Sequence, residues 1–506
     1  MLSKKRKTAH QVKNMIKKIL GKGIAIDSIW LTVAKLMTSL ISIVTSKVLA
    51  VEFSLTDYGT YSQGLLIVTT ATSLSILGLT DGANLFFNGY KDEEQRQKNV
   101  NTVFCIQTVV GTLCAGIIAI SSGVLTYYFN NPALTGVYAY IMFMPMLTNF
   151  VCMYQVLFVS IGKAKSIAVR NLFVSTIKLA AVVFAALVTK DIITVFIITL
   201  ISDIAQVLYF SIIFGKSTFW INPFKIDKSK IKEILIFCLP LSVSILTNSL
   251  NRDIDKYAIS FFTDTESLAI YTNAAKVLPF DMITTSFATV MVPIITKFVV
   301  NNQYEKSQNL YKQYLNFSYT TTWMIAFGAV VCSKELMLIL YDEKYLTGLG
   351  IFIVYILVDM IRFANVSLIL TAKRKTKELM VYSIVTLALN FVLNIIFFKL
   401  FGLIGPAIAT LVVTFGMNCV MLLRGSQIIH SKITQIIDFK DMLKLIVQML
   451  VAAAVAIVIK HFCSSAELNY IITFVLSYGT YAVIIGLLNF KKVLRLFKEI
   501  NKVKAE

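Results

Sequence analysis

Seven lysines and arginines lie inside long apolar stretches of the sequence, where a charged side chain is costly. They are Lys35, Lys47, Lys178, Arg252, Lys256, Lys276 and Arg362. Each would cost about 2.5 to 3.5 kcal/mol at the centre of a membrane helix, so we expect them to face protein or a wet cavity. Their chemistry is that of charge: they can pair with an acid or attract an anion.

Acidic residues share some of these stretches and set the charge balance. Asp253 lies three residues before Lys256, Arg252 three before Asp255, and Asp359 three before Arg362, spacings that allow structural ion pairs within a helix. Lys47 and Lys256, near helix ends, have snorkelling as an alternative. We regard three acids as candidate groups for coupling to an ion gradient: Asp203, Asp253 and Asp359.

Three polar stripes run along predicted helices at helical spacing. The first carries no acid, the second contains an arginine, and the third is neutral. Such stripes line cavities or hold helices together, and the pattern alone leaves both open. Their members are Lys35, Ser39, Ser42 and Ser46; Ser244, Asn248, Arg252 and Asp255; and Ser383, Thr386, Asn390 and Asn394.

The composition excludes several classes of protein. Only 15% of the 506 residues are charged and 57% are hydrophobic, whereas a soluble domain has about 25% charged residues. Three histidines and seven cysteines, with no CxxC or HExxH motif, provide no basis for a metal site, a cofactor or a Cys/His catalytic centre. We therefore expect a membrane protein that is not an enzyme.

Windows of about 20 apolar residues predict fourteen transmembrane helices. Prolines fall within several of these windows, at Pro145, Pro240, Pro279 and Pro293. Pro279 lies close to Lys276, and we expect the eighth helix to break there. The predicted spans are 26–50, 61–87, 102–128, 138–160, 168–188, 192–214, 234–261, 268–296, 314–333, 347–371, 379–398, 402–423, 443–459 and 469–490.

The distribution of cations predicts the topology. With a cytoplasmic N-terminus, 36 of the 48 lysines and arginines fall on the cytoplasmic side and only five on the other. This bias satisfies the positive-inside rule and places both termini in the cytoplasm. It also explains the net charge of +21 without a nucleic-acid partner.

Short segments recur at a fixed interval and suggest an internal repeat. Tyr61 matches Tyr271, and Lys163–Ser166 matches Lys373–Thr376, both 210 residues apart, whereas Ser46-Lys47 precedes Asp255-Lys256 by 209. Helices one to six then correspond to helices seven to twelve, as in transporters built from parallel repeats. The predicted organisation is a basic N-terminal segment (1–23), a six-helix lobe (24–215), a basic linker (216–233), a second six-helix lobe (234–424), two further helices (425–490) and a basic tail (491–506).

Four segments resemble those of a known transporter superfamily. FSLTDYGTYSQGLLIV, KEILIFCLPLSVSILTNSLNRDIDKY, IYTNAAKVLPF with the later MVPIITKF, and LYDEKYLTG occur in the order found in polysaccharide exporters. Over residues 24–424 the chain resembles the multidrug/oligosaccharidyl-lipid/polysaccharide exporter (MOP) superfamily, and within it the Wzx-type flippases. The resemblance implies a V-shaped bundle of two lobes in the cytoplasmic membrane.

The resemblance also implies a function. A flippase of this type moves an undecaprenyl-diphosphate-linked oligosaccharide to the outer leaflet for capsule- or O-antigen-type polymers, alongside polymerase and assembly proteins and membrane lipids. Lys35, Arg252 and Lys276 would hold the diphosphate first, with Lys47, Lys256, Lys178 and Arg362 as second choices. A lipid II flippase and a cation-coupled drug exporter of the same superfamily are the alternatives.

Overall fold

The structure, a computed structural model, describes residues 24–90, 92–276, 278–280 and 282–503. Within these ranges, the side chains of residues 24–36 and 497–503, and of a few positions near 165, 286 and 494, fall outside the description. The basic N-terminal segment 1–23 also lies outside the described residues. The described chain is built almost entirely of helices, as predicted for an all-α membrane protein.

The helices of the first half follow the predicted apolar windows, with short breaks inside several of them. A π-helical turn at Ala185–Thr189 extends the helix that ends at Phe184. A 3-10 turn at Pro132–Gly136 follows the helix that ends at Phe129. The helices are α1 (Ile24–Glu52), α2 (Leu55–Ser75), α3 (Leu79–Asn88), α4 (Glu93–Ile120), α5 (Ser122–Phe129), α6 (Tyr138–Ile141), α7 (Met144–Ser160), α8 (Ala164–Phe184) and α9 (Ile192–Ser217).

The second half begins with a 35-residue helix that contains Pro240. The C-terminal helix continues through most of the basic tail. The helices are α10 (Lys228–Phe262), α11 (Thr265–Ala274), α12 (Met282–Val300), α13 (Tyr304–Val331), α14 (Ser333–Leu340), α15 (Leu349–Ile361), α16 (Leu368–Ala372), α17 (Thr376–Phe401), α18 (Gly405–Ile428), α19 (Ile433–Ile436), α20 (Phe439–Ser465) and α21 (Tyr470–Val503).

The chain forms two compact units with separate cores. The first comprises residues 1–53, 67–123 and 135–243, as far as they are described, and the second 54–66, 124–134 and 244–506. In the first, α1 packs along α8, and a core rich in phenylalanine lies among α3, α4, α7 and α9. In the second, α12, α13, α20 and α21 surround another core. The lobe boundaries drawn from sequence stay a prediction.

Among the described residues, nine helical stretches are long and apolar enough to cross a membrane, and the number rises to eleven when two bent helix pairs are included. One stretch, 376–428, spans 53 residues and contains both α17 and α18. Large apolar side chains such as Ile120 (88% exposed) cover the outer surfaces. Exposure of so much apolar surface to water would be unfavourable, so the chain is a multi-pass membrane protein. The number of fourteen spans stays a prediction.

Several predicted spans are not straight helices. The second predicted span is the helix pair α2 and α3, whose axes are bent by 40°. The ninth predicted span lies in α13, which is followed after Cys332 by α14 with a bend of 87° between the two helices. The eighth is interrupted between Ala274 and Met282, as expected from Pro279. Pro145 begins α7 instead of bending it, because the first turn of a helix needs no proline N–H.

The helix pattern repeats along the chain. Helices α4 and α13 each have 28 residues and begin at Glu93 and Tyr304, and each is followed by an eight-residue helix that begins at Ser122 or Ser333. The matching lengths and order agree with the predicted internal repeat, which stays a prediction. The match of Lys163–Ser166 with Lys373–Thr376 needs a shift of two residues. The corresponding turns centre on left-handed Gly162 and Arg374, which are 212 residues apart instead of 210.

Equivalent positions of the two repeats meet at the start of α2 and α11 in the second unit. Thr56 donates a hydrogen bond to the Glu266 carboxylate at 2.9 Å, and these residues are 210 positions apart. Nearby, the buried Tyr58 hydroxyl donates to Asn273 Oδ1 at 2.7 Å. Gly59 permits this approach, because a β-carbon there would overlap the backbone carbonyl of Thr265.

We expect Gly59→Ala to destabilise the protein by about 1 to 3 kcal/mol, the usual range for overpacking a tight contact. The thermal midpoint of the full chain in detergent, followed by tryptophan fluorescence, measures the effect. Gly116→Ala is the matched control, because a β-carbon at Gly116 in α4 meets no atom within 4 Å. Equal midpoints for the two variants would show that the α2–α11 contact is not tight.

Candidate functional site

A buried carboxylate organises a group of polar residues in the second unit. Asp255, 2% exposed, lies near the end of α10. Its Oδ2 atom accepts a hydrogen bond from the Tyr271 hydroxyl of α11 at 2.9 Å and another from the Tyr355 hydroxyl of α15. Two phenols thus stabilise this charge, and three helices meet at one point.

The break between α11 and α12 is fixed by a second acid. Asp359 lies one turn after Tyr355 on α15 and is 7% exposed. Its Oδ2 atom accepts from the backbone N–H of Leu278 at 3.1 Å. This bond satisfies an amide that the interrupted helix leaves without its usual partner. Asp359 is therefore a structural anchor of the break.

Two lysines lie beside this break. Lys276 is half-buried on the non-helical segment that follows α11. Lys256 of α10 forms an ion pair with Asp253, with 2.6 Å between Nζ and Oδ1. The ammonium groups of Lys256 and Lys276 are near enough to repel each other electrostatically. Lys256 is balanced by Asp253, and Lys276 lies close to this pair beside the break.

Arg252 stands apart from these pairs. Its side chain is exposed on the same face of α10 as Asn248, one turn earlier. Among the side chains that the structure describes, no acid lies within ion-pair distance of Arg252. It lies ten residues before the end of α10, a rise of about 15 Å along the helix. An exposed guanidinium within a membrane-spanning helix requires water or an anion.

Arg362 follows the last residue of α15 and begins the non-helical segment 362–367. Its side chain is exposed. Of the three ion pairs considered from sequence spacing, the described residues form only Asp253–Lys256. Asp255 and Asp359 are engaged by tyrosines and a backbone amide instead, so neither arginine is neutralised by its i+3 neighbour.

We call this region the α10–α15 cluster. Its described members are four cations and three acids, a net charge of +1 for the described part. The members are Arg252, Asp253, Asp255, Lys256, Lys276, Asp359 and Arg362. Six of the ten candidate residues from the sequence therefore belong to one region of the second unit.

A second polar network lies in the first unit, between α8 and α9. Lys178 Nζ lies 3.3 Å from the Asp203 carboxylate. The same oxygen accepts from Gln206 Nε2 at 3.0 Å. Gln206 in turn accepts a hydrogen bond from Arg170, which is 8% exposed. Lys178 and Asp203, predicted for separate roles, thus form one pair.

Arg170 is the residue that the sequence analysis missed. It lay just inside the predicted span 168–188 but was counted among the cytoplasmic cations, whereas α8 already begins at Ala164. Apolar residues on both sides, from Ile167 to Val174, were the available signal.

The remaining predicted residues lie on α1. Lys47 is half-buried and lies on the helix turn next to buried Ser46. Lys35 is within α1, but its side chain lies outside the described part of the chain. On α17, Asn390 and Asn394 are 3% and 0% exposed, and Thr410 of α18 donates to Asn390 at 3.4 Å. This part of the third stripe therefore joins helices.

Comparisons with known proteins agree with this architecture. A family model described as "Polysaccharide biosynthesis protein" matches residues 24–299, more than half of the chain. No curated protein matches the chain in sequence. Among solved structures, a lipid II flippase MurJ in an inward closed conformation is similar with a TM-score of 0.67 at 13% identity, covering 92% of this chain and 100% of that one.

Two further solved structures show the same fold. A multidrug resistance MATE family transporter of the MOP superfamily, in an inward-facing conformation, has a TM-score of 0.63 at 12% identity and covers 80% of this chain and 98% of its own. A MOP superfamily transporter from Pyrococcus furiosus has a TM-score of 0.55 at 13% identity and covers 80% and 94%. The resemblance found from the sequence motifs is thereby confirmed: the chain belongs to the polysaccharide biosynthesis protein family and has the fold of the MOP superfamily transporters.

Proposed function

We propose that this protein moves an undecaprenyl-diphosphate-linked oligosaccharide from the cytoplasmic to the outer leaflet of the cytoplasmic membrane, for synthesis of a surface polysaccharide of the capsule or O-antigen type. The observation that carries this proposal is Arg252, an exposed guanidinium about 15 Å from the helix end, with no acid within ion-pair distance among the side chains that the structure describes. Family membership supports the polysaccharide pathway. The proposal is for a transporter, not an enzyme of polymer synthesis.

The chemistry of the substrate fits the α10–α15 cluster. A diphosphate carries negative charge on oxygens that a planar guanidinium contacts in pairs, and Arg252 is exposed for this contact. Lys276, on the break after α11, adds a flexible ammonium group. The apolar tail needs no polar path, since it can remain in the bilayer while the head group crosses.

We assign the cations in two ranks. Arg252 and Lys276, with Lys35 of α1, bind the head group first. The second rank contributes to the positive electrostatic field around the head group and comprises Lys47, Lys178, Lys256 and Arg362. Two of these, Lys256 and Lys178, already pair with Asp253 and Asp203.

The membrane potential assists the proposed direction of transport. With both termini in the cytoplasm, the positive-inside distribution puts the excess of cations at the side where the substrate is made. Each negative charge moved outward gains about 2.3 kcal/mol per 100 mV when the interior is negative. Polymerase and assembly proteins would then receive the lipid-linked unit in the outer leaflet.

Among the three candidate coupling acids we favour Asp203. Asp253 is held by Lys256 at 2.6 Å, and Asp359 anchors the amide of Leu278. Asp203 instead shares its carboxylate between neutral Gln206 and Lys178, whose side chain is 39% exposed. Protonation or sodium binding at Asp203 would release Lys178 at little structural cost.

A lipid II flippase is the second candidate function. The similarity to the lipid II flippase structure extends over 92% of this chain, against 80% for the multidrug transporter. Lipid II also has an anionic head and an apolar tail, so the same cations would serve. Drug export is less favoured, because the α10–α15 cluster has an excess of cations rather than acids.

Deletion of the gene should trap lipid-linked repeat units in the cytoplasmic leaflet and abolish the surface polymer. At equal membrane levels, we expect wild type and Lys225→Gln to restore the polymer, Arg252→Lys to restore part of it, and Arg252→Gln to leave it about tenfold lower. Lys225 is the matched control because it is exposed outside the helices. The readouts are polymer on the cell surface and the amount of lipid-linked repeat unit.

Three results would contradict the proposal. Full restoration by Arg252→Gln would remove the head-group role of this residue. Lysis with accumulated lipid II after deletion, and unchanged polymer, would favour the second candidate. Unchanged polymer with increased drug sensitivity would favour drug export.

Asp203→Asn tests the coupling assignment. In membrane vesicles, we expect collapse of either the proton or the sodium gradient to slow transport by wild type and by Glu467→Gln, an exposed acid outside the helices. Asp203→Asn should transport slowly whether or not the gradient is present, because the carboxylate can no longer exchange the ion. A variant that responds to the gradient as wild type does would exclude Asp203.

A further inference from the structure

An apolar groove runs along the surface of the first unit between α8 and α9. Its volume is about 530 Å³. Several of the side chains that line it are large, apolar and exposed, including Phe173 at 65% and Ile201 at 59%. The groove is lined chiefly by Val169, Phe173, Ile177, Ile198, Ile201 and Tyr209. A surface of this composition on a membrane helix pair suits a hydrocarbon chain.

One end of the groove is polar. This end is lined by Arg170 together with Gln206 and Ser202, and Arg170 is only 8% exposed. The guanidinium donates to Asn171 Oδ1 at 2.5 Å and to Gln206 Oε1, while its buried Nε has no hydrogen-bond partner within the described chain. A buried guanidinium donor without a partner is costly, and a phosphate oxygen would satisfy it.

The dimensions indicate a ligand confined to one leaflet. Arg170 lies six residues into α8, so it is about 9 Å from the turn at residues 161–163. From Arg170 to Ile177 the groove extends about 10 Å along the helix, less than the roughly 15 Å of one hydrocarbon leaflet. This length fits a single acyl chain with its phosphate near the membrane surface.

We propose that this groove binds one acyl chain of an anionic phospholipid, whose phosphate accepts a hydrogen bond from Arg170. Charge favours an anionic head over a zwitterionic one, because Arg170 and Lys178 outnumber Asp203 in the adjoining network. Basic pockets between membrane helices bind such head groups in general. The proposed ligand is a lipid of the bilayer and not the transported one, although the adjoining network contains Lys178 and Asp203, to which the transport proposal also gives roles.

Binding is tested by native mass spectrometry of the full chain, titrated with phosphatidylglycerol and with phosphatidylcholine of identical acyl chains. We expect the apparent Kd for phosphatidylglycerol to be lower by about tenfold, the difference that one charge-assisted phosphate contact can provide. Equal affinities would overturn the proposal.

Two variants locate the binding site. Arg170→Gln should remove the preference for phosphatidylglycerol. Ala205→Trp should fill the groove, which Ala205 lines, without touching the polar network. Ala454→Trp on α20 is the matched control, because Ala454 is also exposed on an apolar helix surface. This control should bind as wild type does, whereas unchanged binding by Ala205→Trp would place the lipid elsewhere.

Undecaprenyl phosphate serves as the competing probe. If it displaces phosphatidylglycerol at lower concentration and loses binding in Ala205→Trp, then the groove holds a polyprenyl lipid, and the phospholipid assignment is wrong. If it does not compete, the phospholipid assignment stands whatever the outcome of the flippase experiments, since the two readouts are separate.

Discussion

A charge inside the hydrocarbon core must be neutralised, hydrated or bound, and this constraint governs the arrangement of the second unit. Two acids of the α10–α15 cluster are already held by neutral donors. Asp255 receives two tyrosine hydroxyls and Asp359 receives the Leu278 amide. Because neutral donors hold these carboxylates, the arginines retain their charge for a ligand. The same bonds fix the break at which Lys276 lies.

The sequence predicted the helical membrane fold, and the remaining differences have physical causes. Hydropathy windows detect apolar length but not direction, so the 87° bend at Cys332 was not predictable from them. The break near Pro279 was predictable because a proline and charges coincide there. The repeat interval changes from 210 residues at Thr56 and Glu266 to 212 at Gly162 and Arg374, a small insertion that short motif matches do not register.

The candidate site was predictable in its residues more than in its contacts. Helical spacing suggested a pair between Arg252 and Asp255, but Tyr355, a hundred positions further along the chain, holds that carboxylate instead. Long-range partners of this kind follow from tertiary packing, about which local spacing carries no information. Arg170 was missed for a simpler reason: it lies near the predicted start of its span at residue 168 and was counted with the cytoplasmic loop, whereas α8 begins at Ala164 and places it in the second turn.

The account depends on Arg252 facing water within the membrane, and its accessibility measures this directly. In a background with the seven native cysteines replaced by serine, Arg252→Cys would be treated with an anionic, water-soluble thiol reagent, with Leu239→Cys, an exposed apolar position of the same helix, as control. The account predicts rapid labelling at position 252 that a soluble polyprenyl diphosphate slows, and none at 239. If position 252 stays unlabelled while 239 reacts, Arg252 does not line a wet cavity, and the proposed head-group site is wrong.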